Sequence, residues 1–113
     1  MKTLERNTTL SLQELLERLA HNGRGHPSCM LINEVGIICA EGQDEEGAGE
    51  KYLVSLLGNS DPNQRAIAFS FLSYRQDMAE RNAIALTEFR ARAENAALMP
   101  LIDEALKERQ EEE

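Results

Sequence analysis

Four residues in the N-terminal part of the chain are of the types that bind transition metals: His21, His26, Cys29 and Cys39. Compact zinc sites usually place two of their ligands two to four residues apart at each end of the site. The spacings here are five, three and ten residues. We therefore predict no metal site. We interpret the histidines as decorating a helix end and a turn, and the cysteines as small buried hydrophobic residues.

Catalytic groupings in the sequence are equally weak. Ser28 lies close to His26 and Cys29, but no third group that would orient a base is identifiable. The glycine-rich stretch 22–26 follows a predicted helix, whereas phosphate-binding glycine loops follow a strand. Neighbouring carboxylates lie on predicted exposed helix faces, where they are solvated charges. The sequence thus predicts a protein that is not an enzyme and that has no cofactor.

The chain carries 20 acidic and 12 basic residues, a formal charge of −8. An acidic surface repels phosphate backbones, so we expect no nucleic-acid partner. A local group of arginines is the exception and has two interpretations. It forms ordinary ion pairs with acidic neighbours on helix surfaces, or it forms a patch for an acidic partner. The group consists of Arg75, Arg81, Arg90 and Arg92.

The N-terminus lacks the apolar run of a signal peptide, and no stretch approaches the ~20 apolar residues that span a bilayer. Two cysteines are too few for a disulfide scaffold. These observations predict the cytoplasm and no membrane partner.

Helices are the elements that must position these residues. The best marked one is predicted over about 11–22, where Ser11 and Glu14 form a capping box ahead of an apolar stripe. A helix stop is predicted at Gly23. The stripe has the helical spacing 0, 3, 4, 7, 8 and consists of Leu12, Leu15, Leu16, Leu19 and Ala20.

Residues 28–41 allow two interpretations. Their apolar residues have helical spacing, but Gly36 lies in the middle, and 30–32 and 37–39 could instead be two short strands. A helix is favoured because an isolated two-stranded hairpin is only marginally stable.

Four further helices are predicted: one over about 49–58, one that begins at Pro62, one over about 77–93 and one over about 95–109. Asp61 is the expected N-cap of the second of these, which is apolar nearly all round and therefore central. Short connections pair the six helices into three antiparallel hairpins with a recurrence of roughly 35 residues. We expect one helical domain over 1–110, followed by an acidic tail at 111–113.

Residues 52–68 carry a more specific pattern. A Leu-Leu helix end is followed by a short turn, Asp61-Pro62, Arg65 and then alanine-rich apolar positions. This stretch resembles the centre of a HEAT repeat. The resemblance implies that Asp61 caps the second helix of the unit and that Arg65 ties neighbouring repeats together through ion pairs or carbonyl contacts. It implies scaffolding and protein binding as the activity.

The predicted fold is all-α: three hairpins stacked as a short right-handed HEAT-like solenoid, with an irregular helical bundle as the alternative. The predicted function is a non-catalytic module that binds another protein, with homo-oligomerisation as a further possibility at uncapped ends. The alternative is a small ligand- or metal-responsive regulator that uses the His21–Cys39 region. The residues assigned to partner binding are Arg65, Arg75, Arg81, Arg90 and Arg92.

Overall fold

Helices account for all the regular structure in the computed structural model, which describes residues 8–22, 26–44 and 46–111. No strand occurs within these ranges. Residues 28–40 therefore belong to a helix, as the favoured interpretation predicted, and residue 41 lies in the turn that follows it. The helices are α1 (Leu12–Asn22), α2 (His26–Ala40), α3 (Ala48–Ser55, continued by a 3₁₀ turn at Leu56–Gly58), α4 (Pro62–Tyr74), α5 (Gln76–Arg81), α6 (Ala83–Ala91, followed by a 3₁₀ segment at Ala93–Leu98) and α7 (Met99–Glu111).

The helix-capping hydrogen bonds that the sequence predicted are present in the structure. The backbone N–H of Glu14 donates to Ser11 Oγ at 3.2 Å, and the backbone N–H of Ser11 donates to Glu14 Oε1 at 3.2 Å. At the start of α4, the backbone N–H of Asn63 donates to Asp61 Oδ1 at 2.8 Å. Both predicted helix starts are confirmed. The predicted stop at Gly23 and most of the predicted acidic tail lie outside the described residues.

Helix α4 is the centre of the molecule, as its all-round apolar character predicted. It packs against α2, α3, α5 and α7. Four of its apolar side chains are at most 1% exposed: Ala68, Phe69, Phe71 and Leu72. The core is completed from α1, α2 and α3, with Leu15, Ile32, Val35 and Leu53 fully buried.

Two of the three predicted helix pairs pack closely together, whereas in the third the 3₁₀ segment Ala93–Leu98 contacts both α6 and α7. Helix α1 packs on α2, α3 on α4, and the second members of the pairs contact one another in the order α2, α4, α7. The all-α class is confirmed, and this order is compatible with both a short solenoid and a helical bundle.

Two predicted helices have different bounds in the structure. The helix predicted over about 77–93 is divided into α5 and α6 at Asn82, whose backbone leaves helical geometry (φ −112°, ψ 20°). The Asn82 side-chain amide donates to the Met78 carbonyl at 2.9 Å and so competes with the backbone ladder. The helix predicted over about 95–109 begins only at Met99. Pro100 then lies in the first turn of α7, where its missing N–H and its ring disturb no helical bond.

Hydrogen bonds between residues far apart in the sequence hold the segment before α1 against α2. The backbone N–H and the hydroxyl of Thr8 both donate to Glu34 Oε1 at 3.1 Å. Glu34 is fully buried on α2. None of the helices in the described part of the chain combines the length and the apolar character that crossing a bilayer would require.

Candidate functional site

An open apolar groove lies between the outer face of α1 and the segment that leads into α3. Its volume is about 550 Å³. The apolar lining comes from Leu12, Leu16 and Ala20 on α1, and from Ala48 at the start of α3. Leu12 and Leu16 are half-buried against the core, whereas Ala20 and Ala48 are exposed. The groove is therefore a surface trough with an apolar floor.

The stripe predicted on α1 supplies both the core and this groove. Leu15 and Leu19 turn inward and are 0% and 5% exposed. Leu12, Leu16 and Ala20, four residues apart, form the adjacent row and line the groove. The sequence predicted all five as one apolar stripe. The stripe occupies two adjacent rows of α1, and α2, the main neighbour of α1, does not cover both rows. The width of the stripe was the signal that could have revealed the groove.

The loop beside the groove is fixed by one carboxylate. Asp44 accepts hydrogen bonds from the backbone N–H groups of Gly49 (Oδ1, 3.1 Å) and Glu50 (Oδ2, 2.9 Å), and so caps the start of α3. Gly42 and Gly47 have φ of 75° and 76°, a left-handed conformation that favours glycine. This side of the groove is therefore held by backbone geometry as well as by packing.

Close packing under the groove depends on Gly49. A β-carbon at this position would lie 2.8 Å from Cys39 Sγ and 3.3 Å from Leu12 Cδ1. The start of α3 thus approaches α1 and α2 only because residue 49 has no side chain.

The rim of the groove is acidic. Glu17 and Glu46 line it and are exposed, and Asp44 lines it as a partly buried residue. The remaining lining residues are the neutral Gln13 and Gln43, so within the described part of the chain no basic side chain contributes to the lining. A negative rim around an apolar floor is an arrangement that can select a partner by charge.

A network of ion pairs next to this loop joins α3 to α5. Glu50 accepts two bonds from the Arg81 guanidinium, at 3.2 Å from Nε and 2.7 Å from Nη2, and a third from Asn82 Nδ2 at 3.1 Å. Hydrogen bonding to Arg81 holds the pKa of Glu50 below its usual range. Asp77 lies 3.0 Å from Arg75 and 3.8 Å from Arg81. These groups satisfy one another, which favours a structural role for the network.

The thiol of Cys39, which lies beside this network, has a raised pKa and is therefore not activated as a nucleophile. Burial raises the pKa of Cys39 to about 12, with further contributions from the charge of Asp44 and its bond to the thiol, and from the charge of Glu50. The Cys39 Sγ to Asp44 Oδ2 distance is 3.6 Å. Reactive cysteines have lowered pKa values and positive surroundings. Cys39 therefore acts as a packing residue in this structure.

The structure places the arginines assigned to partner binding in different surroundings. Arg65 is 8% exposed and bonded inside the chain, as described below. Arg75 and Arg81 share Asp77, so ion pairing with acidic neighbours is observed for both. Arg90 lies over the Phe69 ring at 5.1 Å and 3.7 Å from Asp103. Arg92 is exposed at the edge of a small cavity of about 170 Å³ between α6 and the end of α3.

Arg65 forms a buried bridge to the segment after α6. Its Nε donates to Asn95 Oδ1 at 2.9 Å, and its Nη1 donates to the Asn59 and Ser60 carbonyls at 2.8 and 3.4 Å. Asn95 is fully buried and in turn donates from Nδ2 to the Phe89 carbonyl at 3.0 Å. Asn95 was not singled out in the sequence, since nothing near it in the chain indicates a buried amide.

The histidines and cysteines that were considered as metal ligands from the sequence lie at separate places in the fold. His21 is exposed at the end of α1, whereas Cys39 is 3% exposed near the end of α2. Cys29 lies ten residues before Cys39 on the same helix, a separation of roughly 15 Å along the axis. The side chains of His26 and Ser28 lie outside the described residues.

Within the described ranges, no three histidine, cysteine, aspartate or glutamate side chains come together in a group that could hold a metal ion. Comparisons of the chain with known protein families, with characterised proteins and with solved structures find no match.

Proposed function

We propose that this chain is a non-catalytic protein-interaction module of the HEAT-like type, which binds a helical segment of another protein in the groove between α1 and α3. The observation that carries the proposal is the groove itself. It has an apolar floor formed by Leu12, Leu16 and Ala20, open to solvent and edged by charged residues. Helix-in-groove recognition needs such a floor for the apolar face of the incoming helix.

Two features of the scaffold support the HEAT-like part of the proposal. The second helices of the three pairs contact one another in chain order, which is how stacked helical hairpins bury their faces. Arg65 bonds two carbonyls before its own helix and Asn95 of the next unit. These contacts support the tying role that the resemblance to the HEAT repeat implies for that arginine.

A polypeptide suits the groove better than a small molecule does. Small-molecule sites enclose most of their ligand and present a few convergent polar groups. Here Gln13, Glu17, Gln43 and Glu46 are all exposed around the floor. The alternative of a small ligand- or metal-responsive regulator rests on the His21–Cys39 region, and Cys39 is buried with a raised pKa.

Two corollaries belong to the proposal. We expect the module to work in the cytoplasm, where reduced thiols persist, because both cysteines are free. Self-association through the ends of the helical stack stays a prediction. Leu101 on α7 and Ile84 on α6 are 65% and 78% exposed, respectively, and would be covered in such an assembly.

The experiment that tests the proposal compares partner capture by matched variants. Ala20→Lys places a long charged side chain on the groove floor, whereas Ala97→Lys makes the same chemical change on an exposed residue of the 3₁₀ segment, away from the groove lining. Affinity capture from the native source, with quantitative mass spectrometry, should recover a partner with the parent chain and with Ala97→Lys. The same partner should be lost with Ala20→Lys.

Two outcomes would contradict binding in the groove, and one of them would point to the exposed arginines instead. If Ala20→Lys retains every partner that the parent chain captures, the groove is not the binding site. If Arg90→Ala with Arg92→Ala removes the partner instead, binding uses the arginines predicted from the sequence. Circular dichroism of each variant checks that the loss is not caused by unfolding.

A further inference from the structure

The groove floor has the length and spacing of a helix-binding surface. Leu12, Leu16 and Ala20 lie four residues apart along α1, a run of roughly 12 Å, or slightly more than two helical turns. Ala48 faces the same space from the start of α3. A partner helix presenting apolar residues at i, i+3 or i+4, and i+7 would cover this floor.

Among the residues that the structure describes, the charged side chains around the floor are all acidic. Glu17 and Glu46 are exposed lining residues, and Arg18, next to Glu17 in the chain, does not line the groove. Gln13 Nε2 donates to Glu17 Oε1 at 3.4 Å, and Gln13 is a neutral neighbour that does not compensate the charge of Glu17. Asp44 adds a third carboxylate, although its oxygens already accept backbone N–H bonds.

The charge of the whole molecule acts in the same direction. A net charge of −8 strengthens the attraction of a basic segment and opposes an approach to an anionic lipid surface. Charge complementarity across an interface selects the partner and raises the association rate more than it raises affinity. The occupant that fits both the floor and the rim is therefore a helix with an apolar stripe flanked by lysine or arginine.

We propose that the occupant of the groove is a basic amphipathic helix of another protein. Its apolar stripe packs on Leu12, Leu16 and Ala20, and its basic flanks face Glu17 and Glu46. This inference rests on the proposed function, because it names the chemical class of the segment that the groove binds.

The test uses a displayed library of peptides of about 18 residues, or five helical turns. Each peptide has leucine fixed on one helical stripe, and lysine, glutamate or glutamine in equal proportion at the flanking positions. The bait is the whole chain, and bound peptides are counter-selected separately against Ala20→Lys and Ala20→Glu, so that groove binders are kept whatever the charge of their flanks. We expect the selected peptides to be enriched in lysine, and raising the salt concentration should weaken their binding.

Charge reversal with a matched control then locates the effect. The double variant Glu17→Lys with Glu46→Lys should weaken binding of the lysine peptides by about tenfold and shift the selection toward glutamate. The double variant Glu94→Lys with Glu104→Lys changes the net charge by the same amount at exposed positions outside the groove lining, and should leave the dissociation constant nearly unchanged.

The possible outcomes separate the two proposals. Glutamine- or glutamate-rich peptides that Ala20→Lys or Ala20→Glu no longer binds would overturn the basic partner and leave the groove as a binding site. If no peptide depends on residue 20, both the proposed function and this inference fail. If the parent chain forms a dimer on sizing that Ala20→Lys abolishes, the occupant is a second copy, and the basic helix is wrong.

Discussion

Gly36 of α2 and Phe71 of α4 are in direct contact: the aromatic ring occupies the space where a side chain at position 36 would begin. A β-carbon added to Gly36 would overlap three carbon atoms of the ring. Both residues are buried, and α2 and α4 form a central helix pair of the fold. The glycine that made 28–41 ambiguous in the sequence therefore allows the close approach of two helices.

Gly36→Ala should destabilise the protein by about 3 kcal/mol, although alanine is the better helix former, because overpacking a tight core outweighs the gain in helix propensity. Urea unfolding monitored by circular dichroism measures the free energy of unfolding. Adding Phe71→Leu should recover part of the loss, so that the double variant is more stable than the sum of the two single changes predicts.

Gly58→Ala is the matched control for this prediction. A β-carbon on Gly58, at the end of the 3₁₀ turn after α3, meets no atom within 4 Å. The free energy of unfolding of the Gly58→Ala variant should remain within about 0.5 kcal/mol of that of the parent chain. Equal effects of the two glycine substitutions would show that helix propensity, and not contact with Phe71, decides the result.

The features that the sequence predicted are those whose causes lie within a few residues of one another. Ser11 and Glu14 form a capping box three residues apart, and Asp61 caps a helix that begins at the next residue. The division at Asn82 was missed because its side chain also bonds Glu50, 32 residues earlier. The periodicity of apolar residues along the sequence contains no information about such a distant hydrogen-bond partner.

The groove was missed for a related reason. Periodicity identified the apolar stripe on α1 correctly, but it does not report how much of the stripe a neighbouring helix covers. That depends on where α2 lies and on how Gly42, Asp44 and Gly47 shape the loop that enters α3. The division of α1 into Leu15 and Leu19 on one side and Leu12, Leu16 and Ala20 on the other is a tertiary property.

Asn95→Ala should destabilise the protein by about 2 kcal/mol. The substitution leaves Arg65 Nε without its partner in a buried site, and an unpaired buried polar group costs about 1 to 3 kcal/mol. The Phe89 carbonyl loses its 3.0 Å bond from Asn95 and keeps only the bond from the Arg92 backbone N–H at 3.3 Å. Asn63→Ala, an exposed asparagine in the first turn of α4, is the control and should change the free energy of unfolding by less than about 0.5 kcal/mol.

A double-mutant cycle between Arg65→Met and Asn95→Ala tests whether the bridge acts as a unit. Because the two side chains are directly bonded, the second substitution should cost less once the first is present. Strict additivity of the two changes would contradict the bridge.

Glu50→Gln should remove part of the stability that the protein has near neutral pH. In the folded state the pKa of Glu50 lies below its ordinary value of 4.5, chiefly because Arg81 hydrogen-bonds its carboxylate. A lowered folded-state pKa adds stability above the unfolded-state pKa, and this stability is lost as the pH falls through the folded-state value. The difference in free energy of unfolding between the parent chain and Glu50→Gln should thus shrink on acidification below pH 4.5.

Unfolding curves over a pH series measure this difference, with Glu104→Gln as the control for loss of one exposed carboxylate. The control should show a much smaller dependence on pH relative to the parent chain. A Glu50→Gln curve that runs parallel to the parent curve across the series would contradict the role assigned to the Glu50–Arg81 pair.

Cys39 should resist alkylation in the folded protein far more than Cys29 does. Its pKa of about 12 leaves only about one thiol in 10⁴ ionised at pH 8, and its side chain is 3% exposed. Cys29 is partly exposed, and burial also raises its pKa, with the charge of Asp61 contributing. Iodoacetamide labelling followed by mass spectrometry should therefore show slow modification of Cys29 and almost none of Cys39 until denaturant is added.

The variants Cys29→Ser and Cys39→Ser assign the two labelling rates to their residues. Cys39 is also a probe of the candidate site, because it lies under Gly49 and beside Asp44, the residue that shapes the loop next to the groove. Rapid labelling of Cys39 under native conditions would mean that α3 separates from α2 without global unfolding. The groove would then be a transient feature, and a peptide bound in it should slow the labelling of Cys39 in proportion to its occupancy.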